Sequence, residues 1–117
     1  MMRILDQYTI HNDENSSITV VLSELRNGYG VYFYNHEDDC YEEHMTTSDV
    51  YEAQEQYSVV VFRAIVKRAI YRAAKKRIAR GAGREDINRY KQQLLSNIKD
   101  PDVRQFIYYL DNLVFDH

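Results

Sequence analysis

From Val50 to Arg80 the chain runs without a glycine or a proline. Strands seldom exceed ten residues, so this stretch predicts one continuous helix, about 46 Å long at 1.5 Å per residue. Thr47-Ser48-Asp49 ahead of it supplies the start signal, with Asp49 and Glu52 spaced as a capping box. At 100° per residue Val59, Phe62, Val66, Ala69, Ile70 and Ala73 share one stripe, with Val61 and Ile65 on its shoulder. That stripe is the expected core face, and Phe62→Ala is expected to be as costly as any core truncation. Beyond Ala73 the same angular positions are taken by Arg77 and Arg80. A domain of 117 residues is only about 35 Å across. The helix is therefore expected to kink, to carry its Lys75 to Arg80 end beyond the body, or to pack that end on another subunit.

The residues before the helix have a different period. Ile4, Asp6, Tyr8 and Ile10 alternate with Leu5, Gln7, Thr9 and His11, and Asn12-Asp13-Glu14-Asn15-Ser16 reads as a turn. A β-branched run from Ile18 to Leu25 leads into Asn27-Gly28, a dipeptide suited to a tight hairpin, with Val31-Tyr32-Phe33-Tyr34 as the return strand. After a polar turn at residues 35–39, Cys40 to Met45 reads as a fourth, more exposed strand. After the long helix, Gly81-Ala82-Gly83 is a stop. Ile87, Tyr90, Leu94, Leu95 and Ile98 form the stripe of a second helix, and Asp100-Pro101 opens a third through Val103, Phe106, Ile107, Leu110, Leu113 and Val114. The expectation is a single α+β domain over residues 1–117. It comprises an antiparallel meander of three or four strands (1–46), a long helix packed on the sheet (48–80), a second helix (84–99) and a third (100–115).

Charge divides along the chain. Residues 1–57 hold Arg3 and Arg26 against twelve carboxylates, a net of −10, whereas residues 58–117 hold 13 Lys and Arg against six carboxylates, a net of +7. Eleven of those 13 lie between Arg63 and Lys91. Two surfaces follow as candidates. Arg68, Arg72, Lys75, Lys76, Arg80 and Arg84, with Tyr71 interleaved, offer cations on a rigid support for a phosphate backbone; equally, such a face can simply be solvated. Glu37, Asp38, Asp39, Tyr41, Glu42 and Glu43 can imitate a row of phosphates before a basic protein, and Tyr32 and Tyr34, opposite Val31 and Phe33 on their strand, are expected to face outward beside them.

No catalytic or cofactor signature is present. Gly28-Tyr29-Gly30 lies in a hairpin and Gly81-Ala82-Gly83 between helices, so neither is a phosphate loop. His36, Cys40 and His44 have the spacing i, i+4, i+8, which an extended strand separates by about 13 Å each, too far for a shared metal. With one cysteine a disulfide framework is excluded, and the longest apolar run, Phe106 to Leu110, is far short of a membrane span. No apolar segment follows Met1-Met2-Arg3, so a reducing cytoplasm is expected.

These features together lead to the expectation of a small non-catalytic binding or regulatory protein. It would act by charged-surface contacts on a nucleoprotein or a nucleic-acid-processing machine, with no membrane and no cofactor. In size and composition alone, and in no motif, the chain resembles the small inhibitors that phages and mobile elements encode, such as anti-CRISPR proteins. Two other readings stand beside it: a nucleic-acid binder working through residues 63–91 as a homodimer, and an oligomeric structural protein joined through the long helix.

Overall fold

A computed structural model describes residues 2–11 and 17–115, His11 by its backbone alone; the turn expected at 12–16 lies outside the described residues. The contacts divide the chain into two compact units, Met1–Ala64 and Ile65–His117.

In the first unit β1 (Arg3–His11), β2 (Ser17–Leu25), β3 (Gly28–Asn35) and β4 (Cys40–Thr47) form one antiparallel sheet in the order β1-β2-β3-β4, followed by the opening turns of α1 (Val50–Ala79). This is the expected meander, with the long helix against it. β2 pairs along both edges, and its residues from Thr19 to Ser23 are all buried. Val20 and Leu22 point into a core closed by Val31 and by Ala53, Tyr57 and Val60 of α1, with Ile10, Phe33 and Met45 around them. Ala53, Tyr57 and Val60 are spaced i, i+4, i+7, one face of a helix.

Several local details differ from expectation. Leu25 pairs with Gly28, so the hairpin loop is Arg26-Asn27 rather than Asn27-Gly28. Gly28 is needed for a close approach instead: a Cβ there would lie 2.5 Å from the Thr47 carbonyl oxygen. At the start of α1, Asp49 Oδ1 accepts the Tyr51 N–H at 2.9 Å. The other half of the expected capping box is displaced, because Glu52 accepts from the Thr47 hydroxyl at 2.9 Å while that hydroxyl accepts the Asp49 N–H at 3.1 Å.

The second unit contains the remainder of α1, α2 (Arg84–Asn97), α3 (Pro101–Tyr108) and α4 (Leu110–Phe115). α1 ends in a Schellman turn: Gly81, at φ +98°, donates its N–H to Ile78 and Ala82 donates to Arg77. Asp100 caps α3 through the Val103 N–H at 3.0 Å, with Pro101 in the first turn. The third helix expected over 100–115 is two helices, broken at Tyr109. The Lys91 ammonium takes the Tyr108 carbonyl at 2.9 Å, an acceptor that a continuous helix would give to residue 112, and pairs with Asp111 at 2.7 Å. Ile70, Ala74, Ile87, Val103, Ile107, Leu110 and Val114 form this unit's core.

The expected core stripe on α1 holds only in part: Ile70 is buried and Val66 packs on the helical core, but Ala69 is exposed. Phe62 is 66% exposed and Ile65 43%, while the buried residues are Ala53, Tyr57 and Val60 in one unit and Ile70 and Ala74 in the other. Ala53, Tyr57 and Val60, the buried α1 positions of the first unit, are not on that stripe. Nor is the helix end bare of apolar contacts after Ala73, since Ala74 is fully buried and Ile78 packs on the same core. Truncation should follow burial: Ile107→Ala should cost about 2–5 kcal/mol and Phe62→Ala under about 1 kcal/mol, read as the shift of the urea midpoint for the corresponding unit.

Burial pushes the Tyr57 phenol up to about 12, with the Asp6 carboxylate adding to the shift. The folded state therefore holds this proton more tightly than the unfolded state does. That contribution to stability is complete below the ordinary value of 10.0 and is lost as the pH rises through about 12. Denaturant melts of the wild type between pH 10 and 12 should lose stability more steeply than those of Tyr57→Phe.

Candidate functional site

The face of the sheet turned away from the α1-packed core carries an aromatic cluster. Tyr32, Tyr34, Tyr41 and Glu43 share it, because Tyr34 pairs with Tyr41 and Tyr32 with Glu43. The Tyr34 and Tyr41 rings are 4.8 Å apart, Tyr41 meets Tyr32 edge-on at 6.4 Å, and Tyr34 meets His36 edge-on at 4.7 Å. Beside them His36 Nε2 lies 2.7 Å from Thr19 Oγ1, itself 2.9 Å from Thr9 Oγ1. The Tyr32 ring folds over Gly30, where a Cβ would lie 2.6 Å from the ring and require it to shift. Ser23, paired with Gly30, is fully buried and its hydroxyl has no hydrogen-bond partner.

Carboxylates rim the cluster. The Tyr34 hydroxyl donates to Asp39 Oδ1, and this bond raises the phenol above its usual range. Burial raises the Tyr32 phenol, helped by the charge of Glu43. Both phenols therefore remain hydrogen-bond donors at neutral pH. Asp39 occupies the left-handed region at φ 49°, and the turn is tied by Asn35 Oδ1, which accepts from the Glu37 N–H at 2.9 Å and the Asp38 N–H at 3.4 Å. Glu42 is placed differently. It pairs with Phe33 and so lies on the side of the sheet that faces α1, apart from the tyrosines.

The basic residues separate by what they touch. Lys75 donates to the Val114 carbonyl at 3.2 Å and lies 5.7 Å from the centre of the Tyr71 ring. Arg84 stacks over Phe115 at 4.7 Å, and Lys67 pairs with Asp102 at 2.6 Å. Arg68 is half-buried, its Nε out of solvent with no hydrogen-bond partner. Arg72, Lys76 and Arg80 are exposed. Arg80 borders an open pocket of about 560 Å³ with Arg77, Arg89, Tyr90, Gln93 and Asp86. Of the six cations expected to bind phosphate, only Arg80 lines this pocket. Arg77 and Arg89 were not among those six; the spacing i, i+3 of Arg77 and Arg80 and the i, i+3, i+4, i+7 set of Asp86, Arg89, Tyr90 and Gln93 are the signals that mark them.

His36, Cys40 and His44 have different partners: His36 bonds Thr19, His44 packs edge-on against Phe33 at 5.6 Å, and Cys40 is exposed. Among the described residues no group of three His, Cys, Asp or Glu is placed to hold a metal ion, and no helix is long and apolar enough to cross a membrane. Compared with protein-family models, curated proteins and solved structures, the chain matches none.

Exposed and engaged cations should separate in a thermal melt. Lys75→Ala should cost about 1 kcal/mol through the orphaned Val114 carbonyl, and Arg80→Ala under about 0.5 kcal/mol.

Proposed function

We propose that this chain is a non-catalytic binding protein that presents the tyrosine and carboxylate face of its sheet to a basic protein surface in a nucleic-acid-processing machine. The observation that carries this reading is the cluster of Tyr32, Tyr34 and Tyr41 with Asp39 and Glu43 beside it. Tyrosines offer large, rigid contact area with a polar tip, the combination that dominates binding energy at interfaces. Carboxylates around them attract the arginine and lysine grooves that hold nucleic acid, and so favour an inhibitor or regulator that occupies such a groove. The unit behind this face holds three Lys and Arg against twelve carboxylates, which disfavours nucleic acid there. The exposed, unpaired Cys40 suits a reducing cytoplasm.

The test is capture of partners by the immobilised protein from a nuclease-treated lysate, followed by binding kinetics with the purified partner. The partner should be a basic nucleic-acid-handling protein. Its affinity should fall about tenfold or more for Tyr34→Ala with Tyr41→Ala, and Glu43→Lys should slow association while leaving dissociation largely unchanged. Binding indifferent to the tyrosine pair, or lost on nuclease treatment, would overturn the proposal.

A further inference from the structure

We infer that the helical unit carries a second site, for the phosphate backbone of a single-stranded polynucleotide, in the pocket where the end of α1 meets the start of α2. It uses none of the sheet-face residues and stands or falls apart from them.

The pocket is built by the Schellman turn. Arg77 and Arg80 project from the last turns of α1, Gly81 and Ala82 make the corner, and Asp86, Arg89, Tyr90 and Gln93 lie on one face of α2. Three guanidinium groups thus meet one carboxylate. That carboxylate is already occupied: Asp86 accepts the Gly83 N–H at 2.9 Å and pairs with Arg89, and these contacts, the backbone bond foremost, hold its carboxyl below the usual range. It anchors Arg89 at the rim. Arg77 stacks over the Tyr90 ring, 4.2 Å from its centre. Stacking holds the plane of a guanidinium while its N–H donors, which lie in that plane, remain directed outward, the arrangement that recognises phosphate oxygens in pairs. Arg80 is exposed and has no carboxylate partner among the described residues. By contrast Lys67, Lys75 and Lys91 are each tied to a carboxylate or a carbonyl.

The size of the pocket selects the ligand. At about 560 Å³ it is far larger than one phosphate and of the scale that takes a nucleotide unit. Three arginine forks around it suit successive phosphodiesters of one chain. The site is an open depression between two helices, along which a flexible single strand can adjust the spacing of its phosphates to the three arginines, whereas a duplex holds its backbones at a fixed spacing.

Fluorescence anisotropy with labelled twelve-nucleotide oligothymidylate and oligouridylate, from 20 to 200 mM salt, tests this directly. About three phosphate contacts predict a slope of log affinity against log salt near −2 for a single strand. Arg80→Glu should weaken binding about tenfold or more, and Arg80→Gln by less. Lys99→Glu, the same charge change at an exposed site outside the pocket, should leave binding within about twofold. Circular dichroism checks that each variant keeps its helices. No binding at 20 mM salt, equal losses for Arg80→Glu and Lys99→Glu, or tighter binding of a duplex of the same length would each overturn the site. Displacement of the oligonucleotide by inorganic phosphate at an equal concentration of phosphate groups would also overturn it, by marking a small-anion site.

Discussion

One uninterrupted helix has to bury side chains in two cores. α1 contains no breaker between Val50 and Ala79, so the direction of its Cα–Cβ bonds advances by a constant angle along its whole length. Its first half places Ala53, Tyr57 and Val60 against the sheet, and its second half places Ile70 and Ala74 against α2–α4. Ala53 and Ala74 are both fully buried. At 100° per residue Tyr51 and Phe62 lie opposite Ala53, Tyr57 and Val60, and Ile65 lies opposite Ile70 and Ala74. Tyr51, Phe62 and Ile65 are 77%, 66% and 43% exposed for this reason. Large apolar side chains on a helix normally report its buried face. Here they mark the exposed side.

The charge division coincides with the division into units. Met1–Ala64 holds three Lys and Arg against twelve carboxylates, and Ile65–His117 holds twelve against six. Within the helical unit the cations are not equivalent. Lys91 sets the break between α3 and α4 through the Tyr108 carbonyl, Lys75 takes the Val114 carbonyl, and Arg104 takes the Leu95 and Ile98 carbonyls at the end of α2. These are structural donors to helix ends that would otherwise lack partners. Among the described residues the side chains of Arg77 and Arg80 at the end of α1 have no such duty.

The carboxylates sort in the same way, through register. The turn at residues 36–39 sets Tyr34 opposite Tyr41, hence Tyr32 opposite Glu43 and Phe33 opposite Glu42. A bulge then leaves His44 as the extra residue and brings Met45 opposite Val31, so the apolar side chain reaches the core. Two adjacent glutamates are thereby assigned to opposite faces of the sheet, and only Glu43 joins the tyrosines.

Much of this was legible in the amino-acid sequence, and the legible parts share a cause. The four strands, the Gly81 stop and the Asp100-Pro101 start rest on contacts between residues a few positions apart, where backbone sterics and local hydrogen bonds decide the outcome. The outward placement of Tyr32 and Tyr34 follows from the two-residue period alone once Val31 is buried. The sequence by itself thus determined the α+β class, the charge division and the order of the elements, except for the break at Tyr109 that makes α3 and α4 two helices. Tertiary structure decided which face of α1 is core, because a periodicity count assumes one partner along the helix and this helix has two. It also decided that Arg89 from α2 joins Arg77 and Arg80 from α1, since the path of the chain through the Gly81 turn, and no spacing within either helix, brings the two rows to one pocket.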